Sequence, residues 1–157
     1  MKIPNKFNRM GIKIESDPAY VEYLESTGTQ YIDTGYIFDS TKHSKVEIKF
    51  AIPSGVAGNN SEFGFSNVGT NCLYANITHL RVGNNESAQT FWTIFNIGDN
   101  VFTFQDGKYS VNGGAEVDTT YLPIANQTFD LFTINWRGNH TTYLAASGTK
   151  IYYCRFY

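Results

Sequence analysis

Cysteine is scarce: Cys72 and Cys154 are the only two in 157 residues, too few for a disulfide framework and spaced like no metal motif. Both read as small buried apolar side chains. A bridge between them stays open, because pairing needs close, well-oriented Cβ atoms. Charge is scarce as well. Only 17% of residues are Asp, Glu, Lys or Arg, and the formal net charge is −2. No Lys/Arg cluster occurs, so the electrostatic footprint of a nucleic-acid binder is missing. Long apolar runs are absent, which leaves no candidate for a membrane-spanning helix. Tracts rich in Ala, Glu, Lys and Leu are absent too, which removes helical fold classes.

What is abundant points the other way. The chain carries 12 Phe, 11 Tyr and 14 Gly, strand formers and turn formers respectively. An all-β fold follows, in one domain of a size that buries a substantial core.

Residues 1–18 (MKIPNKFNRMGIKIESDP) show no period of 2 or 3.6. They lack a continuous apolar core and a small-residue cleavage site, so they do not read as a secretory signal. A soluble protein made in a cytoplasm is expected. We divide the chain into an arm at 1–19 and a domain at 20–157. The arm reads either as a loose terminus or as an anchor to a larger assembly through Ile3, Phe7, Met10, Ile12 and Ile14. Sequons at Asn60, Asn76, Asn85, Asn126 and Asn139 read as chance in an Asn-rich chain.

Strands are expected at Tyr20–Leu24 and Tyr31–Asp33, with a polar turn between them. Residues 44–52 alternate cleanly: Val46, Ile48 and Phe50 on one face, Lys45, Glu47 and Lys49 on the other. Further strands are expected at 62–66, 72–77, 79–82, 101–105, 108–111, 115–119, 127–136, 140–145 and 150–157. Thr90–Ile97 is apolar throughout and reads as a central strand. Asp106-Gly107 is the strongest hairpin signal. Around a dozen short strands with regular turns read as a two-sheet antiparallel β-sandwich.

The wording YLESTGTQYIDTGY, Tyr23–Tyr36, resembles the opening of a concanavalin A-like (laminin G-like) jelly-roll domain. NGGAEVD, FDLFTINWRGN and GTKIYYCRFY are similar to the close of that domain. The family recurs in bacteriophage structural proteins and gut-bacterial surface proteins. The resemblance implies a jelly roll in which the first and last strands share a sheet. It also implies a lectin-like role, at a virion or a bacterial cell surface, toward host-surface or mucosal glycans.

Chemistry on this fold would need carboxylates. Relatives that hydrolyse glycosides use E-x-D-x-x-E, and here Glu116-Val117-Asp118 is followed by Tyr121 where the last Glu should stand. No G-x-S-x-G elbow exists. His43, His79 and His140 sit apart and read as solvated loop residues. Oxygen-rich stretches at 33–39 and 98–99 lack the clustered carboxylates that calcium wants. The expectation is therefore a non-enzymatic protein without cofactor or metal.

Binding remains. Glycan sites of this kind pair an aromatic platform with amide or guanidinium groups. Tyr74, Trp92, Trp136, Tyr143 and Tyr152 are candidate platforms, and Asn76, Arg81, Asn135 and Arg137 candidate polar partners. The two Trp are expected to pack in the core. The ligand-binding set is thus Tyr74, Asn76, Arg81, Asn135, Arg137 and Tyr143. Two readings compete: a virion decoration or fibre subunit gripping its assembly through residues 1–19, and a free-standing bacterial carbohydrate-binding surface protein. A homo-oligomer is open in either.

Overall fold

The computed structural model describes residues 22–56, 60–67, 71–84 and 86–157. The arm at 1–19, the start of the first expected strand, and parts of the loops at 55–61, 66–71 and 82–87 lie outside the described residues.

The chain folds as two antiparallel sheets packed face to face, with no α-helix among the described residues. The first sheet contains β1 (Leu24–Glu25), β3 (Lys45–Ile52), β8 (Gly98–Gln105), β9 (Lys108–Val111), β10 (Val117–Asp118) and β13 (Lys150–Phe156), in the order β1-β13-β3-β8-β9-β10. The second contains β2 (Ile32–Asp39), β4 (Ser61–Asn67), β5 (Asn71–Asn76), β6 (His79–Gly83), β7 (Ala88–Trp92) and β11 (Ile124–Leu131). Its order is β2-β11-β4-β5-β6-β7, and β12 (Asn135–Trp136) runs parallel beside β4.

β3 behaves as its alternation requires. Val46, Ile48 and Phe50 are fully buried, and the strand is hydrogen-bonded on both sides, to β13 and β8. Between the sheets the core is largely aromatic. Phe50 meets Phe63 and Phe95 edge-on, with ring centroids 5.3 and 5.2 Å apart, and Phe38 meets Phe104 at 5.7 Å. Such offset contacts suit ring quadrupoles and let planar side chains fill a sandwich without voids. The Asp106-Gly107 turn has positive φ at both residues, 50° and 75°, the backbone of a tight hairpin that matches strand twist.

Several sequence expectations need correction. β1 does pair with the final strand, Leu24 opposite Ile151. The following strand, however, starts at Ile32, runs to Asp39 and lies in the other sheet. Thr90–Ile97 is not a central strand: β7 ends at Trp92, pairs with β6 and forms a sheet edge among the described strands. Thr93 adopts a left-handed φ of 58°, and the chain turns so that Phe95 enters the core. Residues 127–136 do not form one strand. Phe132, at φ 62°, breaks it, and its amide donates to the Glu62 carbonyl at 2.8 Å. Residues 140–145 are irregular rather than a strand. Cys72 is buried on β5 and Cys154 half-buried on β13, in different sheets. No helix among the described residues is long and apolar enough to cross a membrane.

Glu62 is the anomaly of the core. It sits where β4 bulges against β5, between Ser61 opposite Asn76 and Phe63 opposite Ala75. It is fully buried, and neither carboxylate oxygen has a hydrogen-bond partner among the described residues. Burial pushes its pKa up to about 7, the nearby Thr149 hydroxyl opposing this in part. A carboxyl group raised in the folded state favours folding while it is protonated. That contribution is complete below the unfolded pKa of 4.5 and is lost as pH rises through about 7. Thermal stability is therefore expected to fall between pH 5 and 8 by roughly 3 kcal/mol from this group. Glu62→Gln should flatten that slope in a pH series of calorimetric scans. An unchanged slope in the variant would remove Glu62 as its source.

Candidate functional site

The second sheet has an outer face, and the segment after Phe132 folds back across it. The Ala145 amide donates to the Phe132 carbonyl at 2.7 Å, closing this excursion into a loop. Beneath it, Ile134 packs with Cys72 and Tyr74 of β5 as a small buried apolar cluster. Trp136 and Tyr143 lie against that cluster and meet edge-on at 5.5 Å. The result is a second, smaller core laid over the sandwich.

Between this cover and the free end of the sheet lies a pocket of about 270 Å³. It is lined by Ser61, Tyr74, Asn76, His79, Arg81, Thr90, Trp92, Ile134, Trp136 and Tyr143. Strand period and register explain the gathering. Leu73 and Ala75 point into the main core, so Tyr74 and Asn76 point outward. Tyr74 stands opposite Arg81, Arg81 opposite Thr90, His79 opposite Trp92 and Ser61 opposite Asn76. Four adjacent strands thus contribute side chains to one outer face, and the covering loop adds the remaining wall.

Trp92 is 67% exposed and contacts His79 at 4.8 Å between ring centroids. The expectation that it packs in the core is corrected: as a neighbour of inward-facing Phe91 on an edge strand, it must face out. Trp136 is half-buried and serves both cover and pocket. Asn76 turns the chain, its Oδ1 accepting from the amides of Thr78 and His79 at 2.9 and 2.8 Å. Its Nδ2 lies 3.5 Å from His79 Nε2.

The electrostatics are one-sided. Arg81 supplies the pocket's permanent positive charge, and none of the lining residues is a carboxylate. Its Nε is buried without a hydrogen-bond partner among the described residues. Burial, with help from Arg81, lowers the pKa of His79 and so favours the neutral imidazole. Burial raises the Tyr74 phenol, which Arg81 partly counteracts.

Of the six residues singled out from the sequence, Tyr74, Asn76, Arg81 and Tyr143 line this pocket. Asn135 and Arg137 do not. Asn135 is buried, donating to Thr128 and accepting from the Gly138 amide at 2.8 Å, which shapes the turn after β12. Arg137 stands at a left-handed φ of 55° and lies over the Trp136 ring at 5.8 Å. Tyr152 belongs to the other sheet, bonded to Asp99. Glu116 and Asp118 are exposed beside Lys108.

Two histidines are not solvated loop residues. His79 is in the pocket. His140, on the covering loop, bonds the fully buried Asp130 of β11, Nδ1 to Oδ2 at 2.5 Å, and its ring stacks on Tyr31. Burial pushes Asp130 up to about 6, the bond to His140 opposing and the charge of Asp33 adding to the rise. His79 was legible in principle, since it shares a face with Arg81 at period 2. His140 was not, because its partner is set by the cover alone.

No protein-family profile and no curated protein matches the sequence. Solved structures do resemble the fold. A K499G mutant of NanB sialidase from Streptococcus pneumoniae superposes with a TM-score of 0.58 at 15% identity, over 87% of this chain and 25% of that one. The chain thus spans about a quarter of that sialidase. The CBM40 of Ruminococcus gnavus IT-sialidase, bound to alpha2,3 sialyllactose, superposes with a TM-score of 0.57 at 15% identity, over 87% of this chain and 90% of that one. At such identity the likeness establishes a shared jelly-roll β-sandwich, of the broad kind that the sequence resembled. It does not extend to the phage or laminin G members in particular.

The cover depends on Ile134. Ile134→Ala should cost about 2–5 kcal/mol in denaturant unfolding, the range for truncating a buried Ile to Ala. Trp136 emission should shift to the red as its wall loosens. A loss below about 1 kcal/mol would mean that the cover does not rest on this side chain.

Proposed function

We propose that this chain is a non-catalytic, lectin-like module that takes an acidic sugar in the pocket under the covering loop. The carrying observation is the pocket itself: Trp92, Trp136, Tyr74 and Tyr143 around Arg81, with no carboxylate in the lining. Aromatic faces suit the apolar faces of sugar rings. The Asn76 Nδ2 and the Ser61 hydroxyl offer hydrogen bonds to hydroxyls, the Asn76 Oδ1 being held by the turn. A guanidinium in a carboxylate-free pocket favours a ligand that brings its own anion, since planar forked donors match a carboxylate. The alpha2,3 sialyllactose held by the Ruminococcus gnavus module has that chemistry and is the natural probe.

Binding is favoured over hydrolysis because no carboxylate lines the pocket to serve as general acid or base, a group that hydrolysis needs even where a Tyr replaces the carboxylate nucleophile. For the setting, sialidase neighbours favour a bacterial carbohydrate-binding surface protein over a virion decoration subunit. The virion reading, with residues 1–19 as anchor, draws on the sequence resemblance alone.

Titration calorimetry with alpha2,3 sialyllactose and with lactose separates these elements. Sialyllactose should bind and lactose should bind at least roughly tenfold more weakly, a difference of about 1.4 kcal/mol. Arg81→Gln should abolish the preference, and Trp92→Ala should weaken both ligands. Equal affinities, or a preference that survives Arg81→Gln, would contradict the acidic-sugar reading. Binding unaffected by Trp92→Ala would contradict the pocket.

A further inference from the structure

We propose that Asp33, Asp130 and His140 form a binding site for a divalent transition-metal ion such as Zn²⁺ or Mn²⁺, independent of the sugar pocket. Strand register builds its base. Asp33 on β2 and Asp130 on β11 are cross-strand partners. Phe129 and Leu131 point into the core, so Asp130 takes the outer face. The covering loop then brings His140 down onto the pair, its ring held 5.0 Å from Tyr31 with 11° between planes. One ligand atom from each of the three residues lies within 4.8 Å of the others, so that a small inward movement of the side chains would let all three reach one ion at about 2.0–2.2 Å.

The second observation is the state of Asp130. Its side chain is fully buried, yet only Oδ2 is bonded, to His140, and Oδ1 has no partner among the described residues. Among the described ion pairs, no Lys or Arg reaches Asp33 or Asp130. A buried carboxylate facing a second carboxylate is costly unless something positive joins them. A divalent cation would do this, joined by Asp33, Asp130 and the Nδ1 of a His140 ring that carries its hydrogen on Nε2. Two carboxylate oxygens and one imidazole nitrogen suit a borderline metal with an open position. Calcium, which takes six to eight oxygens, fits poorly. Bound there, the ion would clamp the covering loop to the sheet.

The test uses the full chain, dialysed against EDTA and then titrated with Zn²⁺, Mn²⁺ or Ca²⁺ by calorimetry, with thermal scans alongside. One Zn²⁺ or Mn²⁺ per chain should bind, with a concentration-dependent rise in Tm. Asp33→Asn, at an exposed position, and His140→Gln should each remove the heat and the rise. The exposed Asp33 variant keeps the test open should His140→Gln fail to fold. Absence of binding at millimolar Zn²⁺ and Mn²⁺, binding of Ca²⁺ alone, or binding unchanged by Asp33→Asn would each overturn the proposal.

Discussion

Phe132 leaves the second sheet at a left-handed turn, and the rest of the structure's outer surface depends on that departure. A bulky residue with positive φ is strained, and here it is held by burial and by the hydrogen bond its amide donates to the Glu62 carbonyl. Had β11 continued straight, Ile134, Trp136 and Tyr143 would have no sheet to cover. Tyr74 and Cys72 would then present an open apolar face. The broken strand turns a two-layer sandwich into one with a partial third layer. Both proposed sites lie along the edges of that layer, the sugar pocket toward β7 and the metal site toward β2.

The sandwich beneath is stiff enough to hold such a cover. β3 is paired on both sides, and the aromatic rings between the sheets interlock. Sites built on strands of this kind keep their side chains in place without a ligand. Binding at either proposed site would therefore lose little conformational entropy. The buried Glu62, beneath the root of the cover, is the opposite case: a polar group that weakens the fold at alkaline pH without evident use at either site.

How much was legible follows from which interactions are local. Alternation in 44–52 and the Asp106-Gly107 turn are written in neighbouring residues, and the structure follows both. Tyr74, Asn76 and Arg81 stand out because polar groups punctuate strands there. Trp92 was misjudged because TFWTIFNI was weighed by hydrophobicity rather than by face. At period 2 it shares the side of Thr90, which is the pocket side. The break at Phe132 leaves no mark in composition, and a left-handed Phe is not foreseeable from propensity. Everything dependent on it, including the meeting of His140 with Asp130, was hidden for that reason.

The central claim is that the covered outer face of the second sheet is where a ligand enters. A nitrogen-detected NMR titration with alpha2,3 sialyllactose, following backbone amides and the two indole N–H signals, tests it most directly. The account predicts that shifts concentrate at Trp92, Trp136, Arg81 and the Asn76–His79 turn, leaving β3 and β13 unmoved. Shifts confined to the first sheet, or none at saturating sugar, would contradict it.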